Sequence, residues 1–417
     1  MKQDPKSSEG LLLDLTERLS YRSIYESGLL EDVVPFWMRH GVDQQYGGVL
    51  TCLDRTGKVV DTDKAVWQQG RFAWLLGEIA NAYPDHDPTQ REQWLEVAER
   101  ALGFLEQHGT DDGDGLMWFH LTQEGKPIRK RRYAFSESFA AIAYAEVAKA
   151  LNEPKYAQEA IDLFHRFIER SRTRNVMTQK FTDTRPTRSI GYPMIALATA
   201  QELRDSIGFD EANDWIDESI DQIVHYHLKP DLCCVMETVG MEGEVIDHFD
   251  GRTLNPGHAM EAAWFLMQEG LYRGDHELSK LGTQMFDWMW DRGWDKEYGG
   301  LLYFTDLHGH PVQEYWHDMK FWWPHNETII AALMAYLVTG DQRYALCHRQ
   351  VHDWAYRHFP DCEYGEWYGY LDRTGRVTST AKGNYWKGPF HLPRMQLTCC
   401  RLLDSLSERF AVSDQEQ

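Results

Sequence analysis

YGGVLTCLDRTG, at residues 46–57, is the segment from which the architecture can be worked out, because three close copies of it return along the chain. The copies are DGLMWFHLTQEG at 114–125, YGGLLYFTDLHG at 298–309 and YGEWYGYLDRTG at 364–375. In every copy the first glycine and the turn glycine are ten residues apart. An arm of aromatic and β-branched residues followed by an Asp/Glu-x-Gly type turn predicts a β-hairpin.

The spacing of the hairpins indicates a repeat of about 60 residues. A weaker fifth copy lies around residues 235–246, so the turn glycines fall at 57, 125, 243, 309 and 375. The steps between them are 68, 118, 66 and 66 residues, and the step of 118 is close to two units. Six units therefore fit the chain, with a degenerate copy near Thr182. Repeats of this length are typical of closed or stacked arrays.

The sequence between the hairpins has helical periodicity, with room for two helices in each unit. Second helices are predicted at about 90–107, 156–171 and 276–292. We therefore expect an all-α fold: a six-fold α/α barrel, or toroid, with short β-hairpins in the loops at one rim. The first and last hairpins both end in LDRTG, whereas the terminal units of an open solenoid usually diverge. Hairpins that merely decorate an open solenoid remain the alternative.

The composition suits one catalytic domain spanning residues 1–417, with flexible tails at about 1–12 and 412–417. The net charge of −22 argues against nucleic acid and anionic membranes as partners. There is no apolar stretch of about 18 residues, and residues 1–10 lack the apolar core of a secretory signal. The seven cysteines form no regular framework, which indicates reduced thiols in a cytoplasmic protein.

Side chains suited to sugar binding are concentrated where the predicted inner helices begin. The five segments that carry them are 67–71, 135–137, 255–261, 321–327 and 388–394. Because the inner helices follow hairpins, their N-terminal ends should share one rim of the barrel. Aromatic faces stack on the apolar C–H surface of a sugar, and charged groups bind its hydroxyls. The rim therefore predicts a sugar pocket.

Two histidines at this rim have matched surroundings. His258 and Glu261 are three residues apart on one helix, and His391 and Arg394 repeat that spacing on the last inner helix. In a six-unit ring the two helices lie apart across the cavity, so the imidazoles would face a ligand from opposite sides. A single histidine is more often a surface or core residue, but the matched pair favours a functional role. Arg71 is also hard to explain by packing, since a buried arginine needs partners.

Five motifs, taken in order, resemble the N-acylglucosamine 2-epimerases. They are WQQGR at 67–71, NPGHAME at 255–261, KFWWPHNE at 320–327, EYGEWYGY at 363–370 and GPFHLPR at 388–394. The similarity extends over about residues 30–400. The family has a six-fold α/α barrel, in agreement with the repeat count.

This resemblance implies the interconversion of N-acetylglucosamine and N-acetylmannosamine at C2 of the open-chain sugar. His258 and His391 would be the acid/base pair, and Arg71 would polarise the C1 carbonyl. The residues it implies for substrate binding, some of which also orient the histidines, are Glu261, Glu327, Arg394, Trp322, Trp323 and Trp67. The chemistry is sound, because imidazoles titrate near neutrality and a fixed guanidinium stabilises charge on O1.

Inversion of C2 by two histidines requires no cofactor and no metal ion. The sequence has no GxGxxG fingerprint, and the His308, His310, His317 and His325 group lacks HExxH or CxxC spacing. We interpret these histidines as solvated loop residues. Some members of the family bind ATP as an allosteric effector, and many form dimers, so ATP binding and a homodimer are expectations from the resemblance alone.

Three alternatives remain open at this point. One is a related enzyme that epimerises or isomerises mannose or cellobiose. Another is an inverting glycosidase, which needs two carboxylates about 6.5–9.5 Å apart; Glu137, Glu261, Glu327 and Glu366 could supply them. The third is a non-catalytic carbohydrate-binding module, although such a module has no reason to hold two matched histidines.

Overall fold

The computed structural model describes residues 13–130, 134–172 and 186–415, with side chains described up to residue 409. Helices dominate the described chain. In order they are α1 (Leu15–Ser27), α2 (Val34–His40), α3 (Val66–Ala82), α4 (Pro88–His108), α5 (Phe135–Leu151), α6 (Pro154–Arg172), α7 (Gly191–Ile207), α8 (Ala212–Gln222), α9 (Phe249–Arg252), α10 (Pro256–Arg273), α11 (His276–Gly293), α12 (Trp322–Thr339), α13 (Gln342–His358) and α14 (His391–Gln415). A π-helical segment, Gly28–Val33, joins α1 to α2, and another, Ile223–His227, extends α8.

These helices form the predicted six pairs. The inner helices are α3, α5, α7, α10, α12 and α14, and each packs against an outer helix. Inner helices are apolar around most of their circumference; all of α12 from Trp322 to Leu337 is buried. Glycines let inner helices approach closely, since a Cβ on Gly70 of α3 would lie 2.5 Å from the Phe139 carbonyl oxygen of α5. The predicted α/α barrel is confirmed.

The ring closes through the N-terminal helix. The inner helix α14 packs against α1, the first described helix of the chain. Two ion pairs also join the first unit to the last: Arg55 Nε lies 2.8 Å from Asp361 Oδ2, and Arg401 contacts Glu78. The first helix therefore serves as the outer helix of the sixth unit.

Short strands connect each unit to the next at one rim. They are β1 (Cys52–Leu53), β2 (Val59–Asp61), β3 (Lys64–Ala65), β4 (His120–Leu121), β5 (Pro127–Arg129), β6 (Thr187–Ser189), β7 (Leu228–Lys229), β8 (Cys234–Val235), β9 (Thr238–Gly240), β10 (Thr253–Leu254), β11 (Thr305–Asp306), β12 (Lys320–Phe321), β13 (Tyr370–Leu371) and β14 (Val377–Ser379). The strands that lead into α3, α7, α10 and α12 pair antiparallel with β4, β9, β11 and β13 respectively. The hairpins and the starts of these inner helices therefore share a rim.

The hairpin prediction needs two corrections. The YGG segment at 46–48 is not part of a strand: Asp43 begins a tight turn there, and Gly47 and Gly48 have φ of 79° and 77°, where side chains are disfavoured. In the copy at 298–309 only β11 forms; residues after Gly309 make a loop that leads to β12. The hairpins at 46–57, 114–125 and 364–375 have both arms, which are β1–β2, β4–β5 and β13–β14.

Buried ion pairs anchor these turns to the strands that follow. The aspartate that opens the turn pairs with a later lysine in three units: Asp43–Lys64 at 2.8 Å, Asp295–Lys320 at 3.0 Å and Asp361–Lys382 at 2.9 Å. All six of these side chains are at least 98 % buried. Since loss of one partner leaves a buried charge uncompensated, the pairs fix the loop geometry of the rim.

Some predictions concern residues outside the described ranges. The degenerate hairpin near Thr182 and the N-terminal tail, residues 1–12, belong to this group. Of the predicted C-terminal tail at 412–417, the residues up to Gln415 continue α14. Among the described helices, none has the length and apolarity needed to cross a membrane.

Candidate active site

The inner helices enclose a cavity of about 1030 Å³ that begins at the hairpin rim. Eight of the nine predicted site residues line it: Trp67, Arg71, His258, Glu261, Trp322, Trp323, His391 and Arg394. The exception is Glu327, which is fully buried behind His391. Aromatic residues from several loops complete the lining, among them Phe119, Tyr303, Trp316, Tyr370 and Trp386. The cavity has room for a monosaccharide and its bound water.

His258 stands in the first turn of α10 and is held from two sides. Asn255 caps the helix by accepting a hydrogen bond from the His258 backbone N–H at 3.2 Å. The imidazole Nδ1 lies 2.9 Å from Glu237 Oε2 and 3.1 Å from Oε1. Burial lowers the pKa of His258, but the charge and hydrogen bond of Glu237, with help from Glu261 and Glu327, outweigh burial and raise it. Protonation of His258 is therefore favoured.

His391 has the opposite electrostatic environment. Its Nδ1 lies 2.7 Å from Glu327 Oε1, so the carboxylate fixes the tautomer with Nδ1–H and leaves the Nε2 lone pair available. Burial holds the pKa of His391 well below its ordinary value, and the charges of Arg394 and Arg71 lower it further, against a smaller opposing effect of Glu261. At neutral pH this ring is therefore an unprotonated base.

Trp323 packs against both imidazoles. Its ring centroid is 5.1 Å from that of His258 and 5.5 Å from that of His391. The indole packs on Gly257, where an added Cβ would lie only 2.6 Å from the indole Cη2 atom. One aromatic side chain therefore contacts both histidines, and its position depends on Gly257 in α10.

Arg71 brings a positive charge into an aromatic cage. Its guanidinium carbon lies 4.4 Å from the Trp67 ring centroid, 4.0 Å from that of Phe139 and 4.5 Å from that of Phe390. Within the described part of the chain its Nε makes no hydrogen bond. Burial and the charge of Arg394 lower the pKa of Arg71 to about 9, and Glu261 and Glu327 oppose them, so the guanidinium stays charged at neutral pH. Such a group is suited to bind a developing oxyanion.

Arg394 connects the remaining carboxylates. Its Nη2 contacts Glu261 and lies 2.7 Å from Glu327 Oε1. Glu261, Glu327 and His391 bring ligand atoms within 4.8 Å of one another, a spacing that a metal ion could use. However, the guanidinium already bridges the two carboxylates at the place where a cation would bind, so this donor set fits an arginine network better than a metal ion.

Two of the carboxylates considered for a glycosidase have structural contacts instead. Glu137 accepts a hydrogen bond from the Met117 backbone N–H at 2.9 Å. Glu366 is buried in an ion pair with Lys387 at 2.8 Å. Of the four histidines considered for a metal site, His325 is fully buried: its Nε2 accepts from the Leu301 N–H, so the prediction of a solvated loop residue is wrong for it.

Glu237 is a site residue that was not predicted from the sequence. This residue lies just before β9, in the weakest of the predicted hairpins, six residues before the turn glycine Gly243. The equivalent positions in two other hairpins, Phe119 and Tyr303, line the cavity. Counting back six residues from the turn glycines is only a partial signal, because in the other two hairpins it gives Thr51 and Gly369, which are not among the residues that line the cavity.

The far end of the cavity was also not foreseen. Glu78, Glu146 and Glu202 line it with carboxylate oxygens within 4.8 Å of one another, next to Arg401. Burial and the charge of Glu78 raise the pKa of Glu146 to about 9. Glu146 is therefore protonated at neutral pH, which relieves the repulsion in the cluster.

Comparison with known proteins shows similarity over almost the whole chain. Residues 47–391 match the family model described as N-acylglucosamine 2-epimerase. The chain is 36 % identical to N-acylglucosamine 2-epimerase of Mus musculus, over 91 % of both chains. It is 34 % identical to the Homo sapiens protein, over 91 % of this chain and 90 % of that one. Cellobiose 2-epimerase of Bacteroides fragilis is 22 % identical, over 89 % and 95 %.

The fold agrees with a solved structure. Cellobiose 2-epimerase from Spirochaeta thermophila superposes with a TM-score of 0.79 at 19 % identity, covering 94 % of this chain and 98 % of that one. At that identity the likeness shows the fold alone. Together, the barrel, its cavity and the sequence relatives define a carbohydrate epimerase, an isomerase. The chain belongs to the N-acylglucosamine 2-epimerase family.

Proposed function

We propose that this enzyme interconverts N-acetyl-D-glucosamine and N-acetyl-D-mannosamine by proton transfer at C2 between two histidines. The observation that carries the mechanism is the pair itself. His258 and His391 flank Trp323 in one cavity, and each Nδ1 is bound by a different carboxylate. Each ring thereby presents its Nε2 as the nitrogen for substrate.

The reaction acts on the open-chain aldehyde. In one direction His391 Nε2 removes the C2 proton, and the electron pair forms a C1–C2 double bond as negative charge moves to O1. Arg71 stabilises that oxyanion. His258 then donates its proton to C2 from the opposite face, which inverts C2 and restores the aldehyde. At the end of the reaction His391 is protonated and His258 is neutral. Proton exchange with solvent then restores the starting protonation state of both rings.

The protonation states support this direction for the resting enzyme. Glu237 favours the protonated form of His258, and Arg394 and Arg71 favour the neutral form of His391. The two environments therefore favour an acid at His258 and a base at His391, which is the pairing that proton transfer requires. The reverse reaction uses the same two groups in exchanged roles.

We assign different roles to Glu327, Glu261 and Arg394. Glu327 orients His391 from behind, and it also accepts a hydrogen bond from Trp264 Nε1 at 2.9 Å. Glu261 and Arg394 line the cavity and bind substrate, with Trp67, Trp322 and Trp323 supplying apolar faces. Glu327 is thus a positioning residue instead of a direct substrate ligand.

The relatives support an N-acyl amino sugar as the substrate. Identity is 34–36 % to proteins named N-acylglucosamine 2-epimerase and 22 % to one named cellobiose 2-epimerase. An epimerase or isomerase for mannose or cellobiose is the second candidate, and it uses the same two histidines. The inverting glycosidase is disfavoured, because Glu137 and Glu366 are engaged in structural contacts.

The experiment that tests the substrate is a conversion assay. Purified enzyme is incubated separately with N-acetylmannosamine, mannose and cellobiose, and the products are followed by proton NMR. We expect formation of N-acetylglucosamine and negligible change in the other two sugars. Conversion of mannose or cellobiose alone would contradict the proposed substrate.

We further propose that the chemistry needs no cofactor or metal ion, and that ATP acts at most as an effector. Assays with and without ATP and with a chelator test this; activity abolished by the chelator would contradict it. A homodimer is a proposal from family resemblance, tested by sedimentation. The seven cysteines are free thiols in the structure, which supports a reducing, cytoplasmic location as a proposal.

A further inference from the structure

We propose that Glu237, from the hairpin before α10, is a positioning residue that holds His258 in its reactive orientation. Both carboxylate oxygens face the imidazole Nδ1, at 2.9 and 3.1 Å. An ionised carboxylate only accepts hydrogen bonds, so Glu237 favours the tautomer in which Nδ1 carries a proton and Nε2 is left for the substrate. Asn255 Nδ2, which only donates, also lies 2.9 Å from Nδ1, and the charge of Glu237 favours the Nδ1–H form over acceptance from this amide. The inference rests on the proposed function of His258.

The position of Glu237 in the fold explains how it can act. It lies between Met236, whose carbonyl oxygen is 2.8 Å from His227 Nδ1, and Thr238, the first residue of β9. β9 pairs with β6, and the Ile190 N–H donates to the Glu237 carbonyl oxygen at 3.0 Å. The backbone on both sides is therefore fixed, and the carboxylate is delivered to His258 from a different element than the helix that carries the histidine.

The contact also contributes to the electrostatic difference between the two histidines. Among the described residues, the ionisable groups around His258 are Glu237 from the hairpin, Glu261 on its own helix, Glu327 on α12 and His391 on α14. Glu237 alone of the three glutamates is hydrogen-bonded to the ring. Burial raises the pKa of Tyr303, and the charge of Glu237 adds to that rise. Removal of the Glu237 charge should therefore favour the neutral form of His258.

The test compares Glu237→Gln, Glu237→Asp and the control Glu242→Gln. Glu242 is an exposed glutamate in the same hairpin, so its variant loses the same charge outside the site. The readout is the pH dependence of kcat/KM for amino-sugar epimerisation, after thermal unfolding shows that each variant is folded. Since His258 must be protonated to act as the acid, the alkaline limb of the profile reports its loss of a proton.

We expect Glu237→Gln to lower kcat/KM roughly 10- to 100-fold and to move the alkaline limb about one pH unit lower. Glu237→Asp keeps the charge and should return the limb towards its wild-type position. Glu242→Gln should match wild type. If Glu237→Gln lowers kcat/KM at every pH but leaves the alkaline limb where it is in wild type, the proposal is overturned, because a merely structural role predicts that result.

A second measurement keeps this test separate from the substrate assignment. With ¹⁵N-labelled histidine, the His258 ring signals are identified by their loss in His258→Asn and titrated by NMR without any sugar. A lower His258 pKa in Glu237→Gln supports the inference even if wild-type enzyme converts another sugar. An unchanged pKa would overturn it, whatever the enzyme's substrate.

Discussion

His258 and His391 occupy equivalent positions in the barrel repeat, yet their surroundings have opposite charge. Three carboxylates act on His258, whereas the two guanidiniums of Arg394 and Arg71 act on His391. Both rings have a glutamate at Nδ1, so the hydrogen bond alone does not distinguish them. The difference shows how a repeated fold shifts the pKa of the same residue type in opposite directions, by means of neighbours from non-equivalent loops and helices.

The largest effect is expected from removal of either histidine. His258→Asn and His391→Asn should each lower the epimerisation rate about 10³-fold, because acid or base catalysis is lost on one face. Each variant keeps one base, so it should still exchange the C2 proton of one epimer with D2O. The two variants should exchange opposite epimers, as measured by NMR. Exchange of the same epimer by both variants would show that the histidines do not act on opposite faces.

Arg71→Lys should lower kcat about 10²-fold with a smaller change in KM. The lysine keeps the charge but loses the planar guanidinium that lies among Trp67, Phe139 and Phe390. Because charge on O1 develops in the transition state, the loss should be in kcat. Steady-state kinetics measure it, with the exposed Arg39→Lys as the control. A rise in KM at constant kcat would assign Arg71 to ground-state binding alone.

Glu327→Gln should lower kcat/KM by roughly 10- to 100-fold, because His391 loses the carboxylate at its Nδ1 and becomes a weaker base. The carboxylate that raises the pKa of His258 most is Glu237, so the alkaline limb should move less than in Glu237→Gln. pH–rate profiles of the two variants, recorded side by side, measure this difference. An alkaline limb that moves equally in both would mean that the two histidines titrate as one unit.

Gly257→Ala should cause the smallest loss, about tenfold in kcat/KM, by displacing Trp323 from its contacts with the two imidazoles. The new methyl group would lie 2.6 Å from the indole Cη2 atom, so the ring must move. Gly103→Ala in the outer helix α4 is the control, since no atom of the described residues lies within 4 Å of its added Cβ. Tryptophan fluorescence and kinetics check the prediction. Unchanged kinetics despite a displaced indole would show that catalysis does not depend on the position of Trp323.

Much of the fold could be predicted from the sequence, because the turn glycines recur at a regular spacing and the inner helices are apolar around most of their circumference. The closure of the ring by α1 was not accessible, since its pairing with α14 joins the two ends of the chain and leaves no local signal. The pairing of Asp43 with Lys64, and its repeats, also escaped notice. Its partners are about twenty residues apart across a loop of irregular structure.

Eight of the predicted site residues line one cavity, and their grouping could be predicted because they stand at or near helix starts, where motifs are contiguous. Glu237 was missed for a physical reason: it reaches His258 from a loop 21 residues earlier, in the hairpin whose repeat pattern is weakest. Glu327 was grouped with the substrate-binding and histidine-orienting residues because of the family resemblance, and its side chain lies behind His391 and does not line the cavity. Sequence spacing predicts the face of a helix on which a residue lies, but it does not predict how deeply the side chain is buried.

The most direct test of the two-histidine mechanism is the origin of the hydrogen at C2. N-acetylmannosamine is converted in D2O, and the first N-acetylglucosamine formed is analysed by NMR together with the unreacted substrate. Transfer between two histidines predicts deuterium at C2 of nearly every product molecule, while the unreacted substrate keeps its protium. Product that retains the substrate's own protium would show that a single group removes and returns the same proton, and would contradict the division of roles between His258 and His391.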